Sequence, residues 1–146
     1  MESGEPKKIT AKMLSDFKRR AVSMSREALV KTEFFQDIGA LPLVIRPAIK
    51  GLRLEAWAEN NRDYIEEQLS KHGAILFRGF NLNGAVEFEG FIKTLYGGLL
   101  EYNERSSPRS QVSGNIYTST DYPADQSIFL HNENSYQQTW PMRLFF

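Results

Sequence analysis

The sequence predicts an α+β fold because two helical patterns enclose one strand-like run in the middle of the chain. Apolar residues recur at helical spacing between Leu54 and Leu69 and again between Ala85 and Leu95. Between them, residues 74–77 form a short and nearly uninterrupted apolar run, which is typical of a buried central strand. A helix, strand, helix unit of this kind requires a helical layer and a sheet around one core.

The first forty residues carry weaker signals. Residues 1–8 are polar, and we expect them to be a disordered lead-in, so that residues 9–146 form the N-terminal part of a single domain. Residues 10–23 have the apolar spacing of one helical face and predict an amphipathic helix. Residues 28–35 are ambiguous between helix and strand.

Proline and glycine mark the ends of the elements that follow. Residues 41–45 are apolar and are closed by Pro47, and because Pro42 cannot donate to a strand ladder we expect an edge strand here. Gly73 stands where it would cap the C terminus of the first central helix. Gly97 breaks the second helical pattern.

The last third of the chain predicts a long loop followed by short strands. Residues 103–114 are rich in Arg, Ser and Pro, and loops of this length are usually functional or disordered. Strands are expected at residues 115–120 and 127–131, with a turn between them. Residues 142–146 are an apolar stretch that needs partners downstream, so we expect the chain to be truncated.

Composition excludes several classes of function. The chain has 146 residues, a net charge of zero and no cysteine. A balanced charge gives no reason to expect binding to nucleic acid or to an anionic membrane. Without cysteine there are no disulfides and no thiolate ligands, so nitrogen and oxygen must hold any metal. Neither a signal peptide nor a membrane span is visible, and a cytoplasmic location is the expectation.

A histidine and a glutamate two residues apart, His131 and Glu133, form the candidate metal-binding motif. In a strand, residues i and i+2 point to the same face with Cα atoms about 6.5 to 7 Å apart, so one nitrogen and one oxygen can reach a shared metal. Two histidines and one carboxylate around open positions are typical of non-haem Fe(II) oxygenases, so the motif requires a further histidine. About 0.25 such motifs are expected by chance, and a histidine that merely hydrogen-bonds its neighbours explains the spacing as well.

The second histidine of the chain, His72, lies just before Gly73. An imidazole in the last turn of a helix interacts favourably with the helix carbonyls, so we expect a capping role for it rather than metal binding. Trp57, Phe88 and Phe91 fall on apolar helical faces and are expected in the core.

Three stretches of the sequence resemble the TauD/TfdA (taurine dioxygenase) superfamily of Fe(II)- and 2-oxoglutarate-dependent oxygenases. They are residues 73–80 (GAILFRGF), residues 119–126 (STDYPADQ) and residues 130–136 (LHNENSY) with Trp140 and Pro141. The resemblance runs from about Leu41 onward. It is nearest to the syringomycin-type hydroxylases of natural-product pathways, in which Glu replaces the Asp of His-x-Asp.

The resemblance implies a fold, a cofactor and a reaction. It implies the N-terminal portion of a double-stranded β-helix (jelly-roll) with flanking helices, His131 and Glu133 as the first two Fe(II) ligands, and 2-oxoglutarate as co-substrate. The implied substrate is an amino acid or a carrier-bound aminoacyl group that is hydroxylated. Arg105, Arg109 and Tyr122 are candidates to face that substrate from the loop, although an ordinary surface position explains each of them as well.

In this family the second ligand histidine and the arginine that binds 2-oxoglutarate lie far downstream of the motif, and we expect neither in this chain. The chain alone is therefore expected to be inactive and to associate with itself or with a complementing chain. An alternative is a non-catalytic chain that binds a partner through an open sheet edge. A zinc hydrolase is a third reading, and it would need His72 as a third ligand.

Overall fold

The computed structural model describes residues 25–34, 41–102, 109–119 and 122–146. The predicted lead-in at residues 1–8 and the predicted helix at residues 10–23 lie outside these ranges. The helices are α1 (Arg26–Leu29), α2 (Leu54–Glu59), α3 (Arg62–His72) and α4 (Ala85–Tyr96). The strands are β1 (Val30–Phe34), β2 (Leu43–Pro47), β3 (Ile75–Phe77), β4 (Gln111–Ser113) and β5 (Ile116–Tyr117).

The main sheet has three strands in the order β1-β2-β3. Strand β1 is antiparallel to β2, with Thr32 opposite Ile45, and β3 is parallel to β2, with Phe77 opposite Ile45. The stretch at residues 28–35 that was ambiguous thus contains both elements, because a single helical turn leads directly into β1. Together with the helices, this mixed sheet gives the α+β content that the sequence predicted.

Strand β2 is the central strand, and the prediction of an edge strand was wrong. Its two prolines do not interrupt the ladder because Pro42 precedes the strand and Pro47 is its last residue. The amide of Leu43, the first residue after Pro42, donates to the carbonyl of Ala74 at 3.0 Å. Leu43, Val44 and Ile45 are buried, which is the burial expected of a strand with neighbours on both sides.

Strand β3 is shorter and less buried than predicted. The sequence predicted a buried central strand, but all three residues of Ile75–Phe77 are half-buried. Among the described strands, β3 pairs with β2 alone and so lies at an edge of the sheet. An apolar run indicates that its two faces are covered, and it does not indicate how many neighbours pair with its backbone.

The first central helical pattern forms two helices, and the prediction of one continuous helix was wrong. The break falls at Asn60 and Asn61, whose side-chain amides donate to the carbonyls of Ala56 and Trp57 at 2.8 and 2.7 Å. Each side chain thus bonds to the carbonyl four residues earlier, which in a continuous helix would accept from the backbone amide instead. Gly73 caps α3 as predicted, with a left-handed φ of 69° and its amide bonded to the carbonyl of Leu69.

The core lies between the sheet and α2, α3 and α4. Trp57 and Phe91 are each 3% exposed, which confirms both core predictions, while Phe88 is half-buried. Phe77 packs edge-on against Phe91 at 5.5 Å and against Trp57 at 6.3 Å between ring centroids. Such aromatic contacts contribute beyond their buried area, so they fix β3 against the helical layer.

The last third of the chain contains a hairpin and then irregular backbone. Strands β4 and β5 pair antiparallel, so the first strand of the hairpin lies inside the predicted loop and the second falls within the strand predicted at residues 115–120. The described residues 122–146 form no helix or strand. The strand predicted at residues 127–131 is therefore absent, and a jelly-roll is not formed by the described residues.

Candidate functional site

The motif lies on a turn and not on a strand. Phe129 and Leu130, which precede it, are 89% and 104% exposed, and no described segment pairs with their backbone. A strand exists only where its amides and carbonyls pair with a neighbour, and apolar alternation alone does not provide one. The chain instead turns after His131, with Asn134 in the left-handed region at a φ of 52°.

The turn places the two candidate ligands next to each other. His131 Nε2 lies 3.9 Å from Glu133 Oε2. A metal ion about 2.1 Å from each donor can touch both only if they are no more than about 4.2 Å apart, and this pair meets that limit. The closeness that was predicted from a strand is thus produced by a turn.

The imidazole of His131 is oriented by the backbone. Its Nδ1 lies 2.7 Å from the carbonyl oxygen of Phe129. Because a carbonyl oxygen can only accept, Nδ1 is the donor in this contact, and in the neutral form of the ring the lone pair then lies on Nε2. Metal-binding histidines commonly donate their other nitrogen to a backbone carbonyl in this way, so Nε2 has the chemistry that a metal ligand requires.

Arg109 forms an ion pair with the glutamate of the motif. Its Nη2 donates to Oε1 of Glu133 at 3.0 Å, and the two side chains are 25% and 27% exposed. Its guanidinium carbon lies 4.8 Å from the centre of the Tyr102 ring. Arg109 thus contacts the candidate carboxylate, and it is not the ordinary surface residue that one reading of the sequence allowed. Arg105 lies outside the described residues.

The motif opens onto a cleft of about 1220 Å³. Apolar residues Leu99, Ile116 and Phe145 line it, and Tyr122 stands at its exposed side. A cleft that combines apolar walls with polar groups is the usual form of a small-molecule site.

Tyr96 and Arg143, which also line this cleft, form a second polar cluster with Glu66, and no local sequence pattern indicates it. The Tyr96 hydroxyl donates to Oε1 of Glu66, and Arg143 Nη2 donates to Oε2 of the same carboxylate at 2.8 Å. The hydrogen bonds from Tyr96 and Arg143 lower the pKa of Glu66. Burial, and then the bond to Glu66, raises the pKa of Tyr96 to about 12.

His72 occupies the helix end where the sequence placed it. It is the last residue of α3, and its ring lies 5.2 Å from that of Phe34. Within the part of the chain that the structure describes, no group of three or more His, Cys, Asp or Glu side chains could hold a metal ion. The zinc-hydrolase reading, which needed His72 as a third ligand, thus finds no support there. None of the described helices has the length and apolar character of a membrane span.

The sequence matches the family described as taurine catabolism dioxygenase TauD, TfdA family over residues 37–146. It is 43% identical over 82 residues to the dapdiamide synthesis protein DdaC of Enterobacter agglomerans, covering 56% of this chain and 25% of that protein. It is 30% identical over 113 residues to a clavaminate synthase-like protein of Arabidopsis thaliana, covering 72% of this chain and 34% of that protein. The chain thus spans between a quarter and about a third of the length of these curated relatives.

Proposed function

This chain belongs to the TauD/TfdA dioxygenase family, and we propose that it carries the metal-binding motif of an Fe(II)- and 2-oxoglutarate-dependent oxygenase. The observation that carries the proposal is the pair of donors His131 Nε2 and Glu133 Oε2, 3.9 Å apart at the edge of the cleft. The fold proposed with it is the N-terminal part of a jelly-roll oxygenase domain, over residues 9–146.

The two residues of the motif would bind the metal through different kinds of atom. His131 would bind the metal through Nε2, since its Nδ1 is turned to the carbonyl of Phe129. Glu133 offers a negative oxygen, which offsets part of the charge of a divalent cation. Together with the further histidine that the motif requires, these two ligands would leave the remaining positions open, as an oxygenase requires. When bound there, Fe(II) supplies oxidation of a substrate C–H bond, coupled to conversion of 2-oxoglutarate and O2 to succinate and CO2.

The proposed substrate is an amino acid or a carrier-bound aminoacyl group of a natural-product pathway. One of the relatives is named for dapdiamide synthesis, which supports a biosynthetic role. The cleft supplies apolar walls for the carbon chain of such a substrate. The cleft excludes part of the solvent from its inner wall, where Ile116 and Phe145 are half-buried.

The alternative proposal is a non-catalytic chain that binds a partner through a sheet edge. Strand β1 favours it because four of its five residues, from Lys31 to Phe34, are exposed and β2 is its one described neighbour. Exposed edges of this kind pair readily with another chain. The same edge would serve a complementing chain or a second copy if the 146-residue chain is an incomplete oxygenase.

The test is an assay of succinate formation with Fe(II), ascorbate and 2-oxoglutarate, performed on the full-length polypeptide that the gene encodes. We expect His131→Ala to lose turnover because one remaining protein ligand of the motif holds iron poorly. His72→Ala is the matched control, since it removes the other histidine of this chain, and it should retain turnover. Unchanged turnover in His131→Ala would refute the proposal.

The 146-residue chain should be assayed beside it, with its mass measured in solution. We expect no succinate, because the described residues offer two ligands and no third, and we expect association through the exposed edge. A monomer that turns over 2-oxoglutarate would contradict both expectations. A full-length polypeptide that binds no iron and forms a stable complex with another chain would favour the non-catalytic alternative.

A further inference from the structure

The two oxygens of Glu133 have different neighbours. Oε1 accepts from Arg109 Nη2 at 3.0 Å, while Oε2 faces His131 Nε2 at 3.9 Å. One oxygen of the carboxylate is therefore bonded to a guanidinium, and the other faces the imidazole. A carboxylate with no such partner can rotate and can offer both oxygens to one cation.

Arg109 is held in place by contacts that do not involve Glu133. Its guanidinium lies over the Tyr102 ring at 4.8 Å, a cation–π contact. The residue directly after it, Ser110, begins the hairpin: its amide donates to Thr118 Oγ1 at 2.9 Å, and its carbonyl accepts from the amide of Thr118 at 2.9 Å. Because backbone and side chain are both fixed, the guanidinium is a preset partner for the carboxylate.

We infer that Arg109 is a positioning residue that holds Oε1 of Glu133 and leaves Oε2 as the one oxygen that binds the metal. The inference rests on the proposed function, since it concerns how the same motif receives its ion. A carboxylate that binds through one oxygen occupies one coordination position, and one that binds through two occupies two. Arg109 thus keeps a position open for the co-substrate and O2.

The opposite role is a lock, in which Arg109 competes with the cation for Glu133. The geometry favours positioning, because the guanidinium holds the oxygen that faces away from His131 and leaves the other one available. The two roles predict opposite effects of removing Arg109. A positioning residue strengthens metal binding, whereas a lock weakens it.

The experiment measures Mn(II) binding to the full-length polypeptide by electron paramagnetic resonance, together with the infrared carboxylate bands of the Mn(II) complex. We expect Arg109→Gln to bind Mn(II) about 10- to 100-fold more weakly, the usual effect of losing a partner that orients a ligand. We also expect its metal-bound carboxylate bands to shift from the one-oxygen to the two-oxygen pattern. Arg109→Lys should recover part of the affinity, because it keeps the charge but not the planar fork.

Arg46→Gln is the control, since Arg46 is also a partly exposed arginine paired with a glutamate, Glu33, and does not line the cleft. It should bind Mn(II) like the wild type with unchanged bands. If Arg109→Gln binds Mn(II) with wild-type affinity and shows the wild-type carboxylate bands, the inference is overturned. If it binds Mn(II) more tightly than the wild type, Arg109 competes with the metal for Glu133 and the inference is also overturned. His131→Ala and Glu133→Gln separate the two claims: if either binds Mn(II) as well as the wild type, or if the wild type binds none, the proposed function fails and the inference with it.

Discussion

Arg143 donates a hydrogen bond to Oε2 of Glu66 at 2.8 Å, although 77 positions separate them in the sequence. Tyr96 donates to the other oxygen of Glu66, and its ring lies 5.5 Å from that of Phe145. The residues after the motif are thus fastened to α3 and α4, the same helices that cover the sheet. One wall of the cleft is fixed to the core in this way, without a strand.

Loss of the Glu66 charge should lower the free energy of unfolding at acidic pH. Hydrogen bonds from Tyr96 and Arg143 lower the pKa of Glu66 below its usual value of 4.5, so its contribution to stability is full above pH 4.5 and is lost as the pH falls through the lowered folded-state pKa. We expect the difference in free energy of unfolding between wild type and Glu66→Gln to shrink as the pH falls from 7 to 3. Urea titrations at each pH measure it. A difference that stays constant across this range would show that the charge of Glu66 contributes nothing.

Tyr96 should make the protein sensitive to alkaline pH. Its pKa is raised to about 12 from 10.0, mainly by burial. A raised pKa means that the contribution of the neutral phenol is full below pH 10 and is lost as the pH rises toward 12. Ultraviolet titration of phenolate formation should show a late ionisation step from Tyr96 in the wild type, and Tyr96→Phe should lack that step. The assignment is wrong if the late step persists in the variant.

Truncation of Phe77 should destabilise the protein although β3 is only half-buried. Phe77 meets the rings of Trp57, Phe80 and Phe91, so Phe77→Ala removes three aromatic contacts. We expect a loss of about 3 kcal/mol in the free energy of unfolding, the low end of the range for Phe→Ala in a core.

Val86→Ala is the control for Phe77→Ala. Val86 lies on α4 and is 75% exposed, so its truncation should change the free energy of unfolding by less than about 0.5 kcal/mol. Equal effects of the two substitutions would show that β3 does not pack on the core as described.

Two adjacent glycines allow the backbone at the end of α4 to be tested. Gly97 has a φ of 77°, while Gly98 does not have a positive φ, and a Cβ at either position would meet nothing within 4 Å. Any difference between Gly97→Ala and Gly98→Ala therefore reports backbone strain and not crowding. We expect Gly97→Ala to lower the free energy of unfolding by about 1 to 2 kcal/mol. We expect Gly98→Ala to leave it unchanged or to raise it slightly. Equal thermal midpoints for the two variants would contradict a left-handed cap at Gly97.

The sequence predicted the elements whose signals are local. The apolar period of α4, and the glycines that follow α3 and α4, were sufficient to predict these helices and where they end. The helix pattern and the left-handed cap both depend only on neighbouring residues. Pairing was less predictable. Pro42 suggested an edge strand, yet it stands one residue before β2, where its missing amide removes no hydrogen bond from the ladder.

The candidate site was only partly predictable for the same reason. His131 and Glu133 are two residues apart, so their closeness could be expected from the sequence, although a turn and not a strand provides it. Arg109 pairs with Glu133 across 24 positions, and the Glu66 cluster joins three segments of the chain. Such contacts depend on how the hairpin and the helices pack, and no local pattern encodes them.

The most direct test of this account is a crystal structure of the full-length polypeptide with Mn(II), in which anomalous scattering locates the ion. We predict one peak bonded to Nε2 of His131 and Oε2 of Glu133, with Arg109 still on Oε1. A peak bonded to other residues, with His131 and Glu133 free of metal, would contradict the account.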